Sequence, residues 1–110
     1  MPIESCTEDT IVVDLPAEQE MRTELESLIE TVSLRGRCDV VIDFSRVDIV
    51  TSSSFCRLLK LRKLLADRGH RLVLCGLAAN TKGIFAMIGL DRVFEFVDDK
   101  SAALKSLQRA

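Results

Sequence analysis

Four consecutive hydroxyl-bearing residues, Thr51, Ser52, Ser53 and Ser54, stand directly before the apolar and basic run FCRLLKLRKLL. A hydroxyl at a helix start accepts a hydrogen bond from one of the first, otherwise unpaired backbone N–H groups, and one side chain suffices for that cap. The remaining hydroxyls are available for other chemistry, although serine-rich loops also arise from turn preference alone. The chemistry that suits the position is phosphoryl acceptance. A helix N-terminus favours an anion, and Arg57 lies about one turn away, so a phosphoserine here is compatible with the fold. The same added charge, about −1.5 to −2, is disruptive inside a docked interface through desolvation or repulsion by a partner's carboxylates. A switch in protein binding is the expected result.

Other reactive side chains point elsewhere. Cys56 follows the serines with Arg57 beside it, the setting of an activated thiol, but a packed and inert cysteine is the expectation. His70, the single histidine, sits just before a strand, at the opposite end of the sheet from the serines, which argues against a nucleophile–base pair. Asp43 and Asp48 suggest a magnesium site near the loop, but the early acidic pair and late lysine of a receiver domain are missing. Asp43 is expected instead to brace the loop as a hydrogen-bond acceptor. The chain lacks a Gly-rich phosphate loop, a Walker-type lysine and any cluster at zinc spacing. No cofactor and no enzymatic turnover are expected.

The elements that must position the hydroxyls follow from periodicity. IVVDL is a short strand ended by Pro16, with Ile3 to Cys6 as a second strand at the sheet edge. Met21, Leu25, Leu28, Ile29 and Val32 then form the apolar face of a helix closed near Gly36. CDVVIDF and RLVLCG are near-continuous apolar runs, as in strands covered on both faces. Between them a helix is expected from Phe55 to Arg68, with Phe55, Leu58, Leu59, Leu61 and Leu65 on one arc, Leu64 in the middle of the polar side, and Gly69 as the stop. Ala78 to Ile88 reads as a short helix with Ile84, Phe85 and Ile88 on a common side. VFEFV alternates as a strand, and the tail from Asp98 to Gln108 is a helix capped by Asp98 or Asp99, with Leu104 and Leu107 inward. Strands alternating with helices predict right-handed crossovers and an α/β fold: an open, mixed but mostly parallel sheet of four to five strands with helices packed on it. The serine cluster falls beyond the carboxyl end of the strand at Phe44, where ligands and partners of such sheets gather.

The totals bound the partners. The chain has 110 residues, 47% of them apolar, which suits one domain with its own core over residues 1–110. A formal charge of −2 and the absence of Trp and Tyr provide neither a basic footprint nor an aromatic platform for nucleic acid. No apolar stretch reaches the roughly 18 residues of a membrane span, and the opening MPIESCTEDT lacks a signal-peptide pattern, so a cytoplasmic location is expected. Cys6, Cys38, Cys56 and Cys75 are scattered and are expected to be reduced, mostly packed thiols.

The segment VVIDFSRVDIVTSSSFCRLLKLRKLLADRGHRLVLCG resembles the central block of STAS domains, the anti-sigma-factor-antagonist family. There, a strand ending in Asp leads through a hydrophobic loop to an Asp-Ser-Ser-Gly-Leu motif, a helix and a strand. VFEFVDD, preceded by the Ile-Gly-Leu of MIGLDRVF, resembles that family as well. The resemblance implies a SpoIIAA-like fold, phosphorylation at Ser53, and a partner surface including Asp43, Thr51, Ser52, Ser53, Ser54, Phe55 and Arg57. It also implies an anti-sigma factor or other serine-kinase-like regulator as partner, held by the unmodified form and released on phosphorylation. Weak self-association is a further expectation; the alternative is a constitutive scaffold or sensor-complex subunit, not switched by phosphorylation, whose self-association is stable. Two departures bear on recognition: Thr51 stands where the family has Asp, and Ser54 where it has Gly.

Overall fold

In the computed structural model, which describes residues 3–7, 10–16, 18–35, 38–47 and 50–108, the runs TIVVD, DVVID and LVLC form the three inner strands of a five-stranded sheet. The elements are β1 (Ile3–Thr7), β2 (Thr10–Asp14), α1 (Glu18–Arg35), β3 (Asp39–Asp43), α2 (Ser52–Ala66), β4 (Leu72–Cys75), α3 (Ala79–Met87), β5 (Glu95–Val97) and α4 (Lys100–Gln108). The sheet runs β1-β2-β3-β4-β5. β1 pairs antiparallel with β2, and every later pairing is parallel. Each parallel step needs a crossover, and the right-handed crossover is strongly preferred. Because the strands add in one direction only, three crossovers of the same hand place α1, α2 and α3 on the same face. The chain then turns α4 onto the other.

Side chains alternate along each strand, so one register defines both cores. On the crossover face, Ile11, Val40 and Leu72 line up across the sheet, as do Val13, Ile42 and Leu74. Met21, Leu25, Leu28 and Val32 of α1 and Leu58, Leu61 and Leu65 of α2 bury against them. On the opposite face Val12, Val41 and Val73 align and meet Ala103 and Leu107 of α4. Phe85 closes the crossover core, with ring centroids 4.9 Å from Phe55, 5.6 Å from Phe94 and 5.2 Å from Phe96, all edge-to-face. Such pairs add roughly 0.5–1.5 kcal/mol each beyond area burial. Arg71 ties the far edge, donating through Nε to Glu95 of β5 at 2.9 Å and through Nη1 to the Ser106 carbonyl of α4 at 3.1 Å.

The structure departs from the periodicity reading in instructive places. α2 begins at Ser52, three residues before Phe55, because Thr51 rather than Ser54 is its N-cap. Leu64 is not on an exposed face: it packs against the crossover core, since α1 lies along that side of α2 and widens its buried arc. Leu59 is the exposed one, at 37%. In α3 only Thr81 and Phe85, four residues apart, face inward, leaving Ile84, Met87 and Ile88 exposed. β5 is shorter than VFEFV, because Val93 and Phe94 sit in the preceding turn. Gly69, at φ +75°, ends α2 as its spacing predicts, with the His70 N–H donating back to the Leu65 carbonyl at 2.9 Å. Asp99 caps α4 through the Ala102 N–H, and Leu104 and Leu107 both pack toward the sheet. Gly36 and Asp48, and the side chain of Cys6, lie outside the described residues.

Cys75 is fully buried at the end of β4. Burial foremost, then the negative charge of Asp43, pushes its thiol up to about 12; Lys100 opposes this, and Asp99 and Asp14 add to it. Unfolding lets the thiol ionise near its ordinary pH of about 8.5, so above that value the unfolded chain gains a stabilising deprotonation that the native chain is denied. Wild-type stability should therefore fall relative to Cys75→Ala by about 2 kcal/mol between pH 8 and pH 10, measured by urea unfolding. An unchanged difference would place the thiol's titration at the same pH in both states.

Candidate functional site

The carboxyl end of β3 leads into the serine segment, and the structure shows what holds that lead-in. Asp43 is 8% exposed, and its Oδ1 accepts the backbone N–H of Ser45 at 2.7 Å and a short hydrogen bond from the Ser45 hydroxyl. This is the loop brace expected of Asp43. The chain beyond β4 passes over it at Gly76, whose φ is +70° and where a Cβ would stand 2.7 Å from Ser45 Oγ and 2.8 Å from Asp43 Oδ1. Only glycine fits both the conformation and the space. Phe44, Val47 and Val50 sink into the core, anchoring the loop from β3 to α2 at three described points. His70 is paired with Asp39 at 3.3 Å, at the first residue of β3, so β3 separates it from the serine segment.

Thr51 has an extended backbone (φ −83°, ψ 162°), and its Oγ1 accepts from the Ser54 N–H at 3.3 Å. It is the N-cap, and the three serines form the first turn of α2. Their roles divide by angle around the helix. Ser54 is 3% exposed and exchanges a hydroxyl contact with Thr51 Oγ1 at 3.2 Å. Phe55 is 8% exposed and committed to Phe85. Neither side chain is presented to solvent. Ser52 and Ser53 are exposed, and Ser53 Oγ lies 3.1 Å from Thr51 Oγ1.

One turn on, Arg57 donates to Glu26 Oε2 of α1 through Nε at 3.2 Å and Nη2 at 3.0 Å, and through Nη1 to the Ser53 carbonyl at 3.0 Å. The Arg57 hydrogen bond, followed by the charges of Arg57 and Arg22 and opposed by some desolvation, holds Glu26 below the usual carboxylate range. Glu26, Ile29, Ser53, Cys56, Arg57 and Lys60 line a groove of about 600 Å³ between the two helices. Cys56 is exposed here rather than packed, correcting the expectation of a buried thiol. Among the described residues, no His, Cys, Asp and Glu side chains group so as to hold a metal ion, and no helix is long and apolar enough to cross a membrane.

Sequence reasoning missed Glu26, because its approach to Arg57 depends on how α1 lies along α2, 31 positions away in the chain. It also missed Ser45 and Gly76. The Asp-x-Ser spacing of an Asx turn was a usable signal for the first; nothing local marks the second.

Three substitutions at two positions test this arrangement. Thr51→Ala should lower stability by about 1 kcal/mol, while Thr51→Asp, which keeps an acceptor at the cap, should retain it. Gly76→Ala should cost about 1–3 kcal/mol, from the left-handed backbone and the collision with the Asp43 brace. Urea melts of the three proteins would read both effects.

The fold is shared with known proteins. The NMR structure of the Thermotoga maritima protein TM1081 superposes with a TM-score of 0.84 at 15% identity, covering 99% of this chain and 89% of that one. An RsbS variant from Moorella thermoacetica gives 0.80 at 23% identity over 99% and 97% of the two chains. The Bacillus cell fate determinant SpoIIAA in its phosphorylated form gives 0.72 at 18% identity, covering 96% of each. Among curated protein sequences nothing matches the chain. The STAS domain family matches residues 10–103, most of the chain including β3, the loop brace and the capped serine turn, and the chain belongs to that family.

Proposed function

We infer that the chain is a non-enzymatic protein-binding module of the anti-sigma-factor-antagonist type, acting in the cytoplasm and switched by phosphorylation of Ser53. The observation that carries this reading is the division of labour in the first turn of α2. Thr51 supplies the cap and Ser54 is buried, while Ser53 is exposed at a helix start and has no task in the core. A phosphate there meets the positive end of a 15-residue helix and leaves the fold standing. The likeness to SpoIIAA, which has been solved in both unphosphorylated and phosphorylated forms, supports the same reading.

The docking surface comprises exposed Ser52 and Ser53, half-buried Thr51 and Arg57, and the loop that Asp43 holds in place. The partner is an anti-sigma factor or a related serine-kinase-like regulator, bound by the unmodified form. Thr51, neutral where the family has a carboxylate, removes one charge from this surface and shifts which regulator it suits.

A scaffold role is the second reading. It is favoured by the exposed apolar side chains Leu59 of α2 and Ile84, Met87 and Ile88 at the end of α3, and by the likeness to a stressosome component at 23% identity and a TM-score of 0.75.

Wild type, Ser53→Ala and Ser53→Glu used as parallel baits in native lysate separate the two. The switch reading expects an ATP-binding regulator on the first two baits and its loss from the third, with all three proteins melting alike. Capture of the same set by all three, together with a stable oligomer in light scattering, would transfer the assignment to the scaffold.

A further inference from the structure

We propose that the groove between α1 and α2 is a built receptor for a phosphate on Ser53, in which Arg57 exchanges its ion pair with Glu26 for one with the phosphate. The inference rests on Ser53 as the modified residue and concerns what the added group touches.

Ser53 and Arg57 are four residues apart on α2, so their side chains are neighbours on one helix face. Arg57 already reaches back over this turn, since its Nη1 holds the Ser53 carbonyl. Its side chain is only 19% exposed, which limits the freedom it loses on binding. Lys60 continues the same stripe one turn further and lines the same groove. Two cations thus face one carboxylate, and a phosphoserine dianion would enter among them.

The competition has a defined direction. A phosphate brings up to two charges and three acceptor oxygens against the single charge of Glu26, and it can take two parallel N–H···O bonds on separate oxygens, whereas both Arg57 bonds to Glu26 end on the one oxygen Oε2. Glu26 is prepared for the loss, because Arg22, one turn earlier on α1, stands 3.7 Å from its Oε2 and remains as a partner. The exchange therefore strands no charge. It does remove the side-chain tie that Arg57 makes between α1 and α2, while the second tie, from Arg68 Nη1 to the Val32 carbonyl at 2.9 Å, remains. Modification would loosen the α1–α2 contact near Ser53 and leave its far end fastened.

The test needs no partner and no natural kinase. Protein carrying phosphoserine at position 53, made by genetic encoding, is titrated by 31P NMR in the native state and in urea. The groups facing the phosphate are Arg57 and Lys60 from α2 and Glu26, backed by Arg22, from α1. The cations favour the dianion, so the second pKa should lie at least about half a unit lower in the native protein than in urea. Glu26→Gln should lower it further, and Arg57→Gln or Lys60→Gln should each reverse part of the shift. The Arg57 Nε–H resonance should move on phosphorylation in wild type. A native value equal to that in urea, or a lowered value indifferent to both Arg57→Gln and Lys60→Gln, overturns the receptor, the latter assigning the shift to the helix terminus alone. Neither result depends on whether a partner responds to Ser53→Glu, so the receptor and the switch can fail separately.

Discussion

Strand Asp39–Asp43 is hydrogen-bonded along both edges and covered by side chains on both faces, and this double confinement governs the rest of the molecule. A strand so enclosed can meet a partner only at its ends. Its amino end is occupied by the Asp39–His70 pair, and its carboxyl end by a carboxylate folded back onto its own loop. The serine turn owes its position to that loop, whose described apolar residues sink into the same core as the strand. Strand order adds a second constraint. Sheets that wind both ways from a central strand open a crevice at the reversal, and small ligands use it. This sheet winds one way only. Among the described strands there is no such reversal, and so no crevice of that kind.

Much of this was legible before any coordinates. The uninterrupted apolar runs marked the inner strands, the 3.6-residue spacing marked α1, and Gly69 marked the end of α2. Sequence patterning failed where two helices meet. Leu64 looked exposed because a helical wheel drawn for one helix against a sheet knows nothing of a neighbouring helix. Ile84 and Ile88 looked buried because apolar character was taken for inward direction, whereas α3 is short and lies at the margin of the core, with Phe85 doing its packing. The helix start was placed late because four hydroxyls in a row leave the cap undetermined; the backbone at Thr51 decides it.

The site was readable to a similar depth. Its location and the bracing role of Asp43 followed from residue type and strand position. The individual jobs of Ser52, Ser53 and Ser54 did not, since they differ by angle around one turn, and Ser54 faces the core although serine alone predicts exposure. The ion pair that organises the groove was out of reach, because Glu26 belongs to a helix whose polar face is dense with carboxylates and nothing distinguishes it from Glu20, Glu24 or Glu30 in the sequence.

The one-way winding also bears on how the chain assembles. Each strand pairs with the strand that precedes it, so β1 to β4 can be laid down in the order in which they are synthesised, without waiting for a distant segment. The exception is the face bearing Val12, Val41, Val73 and Cys75, which among the described residues is covered by Ala103 and Leu107 of α4, an element that follows all five strands. A nascent chain that has completed its sheet therefore still carries an open valine-rich surface. The last nine-residue helix acts as its latch, and the period before that latch closes is when association with other incomplete chains competes with folding.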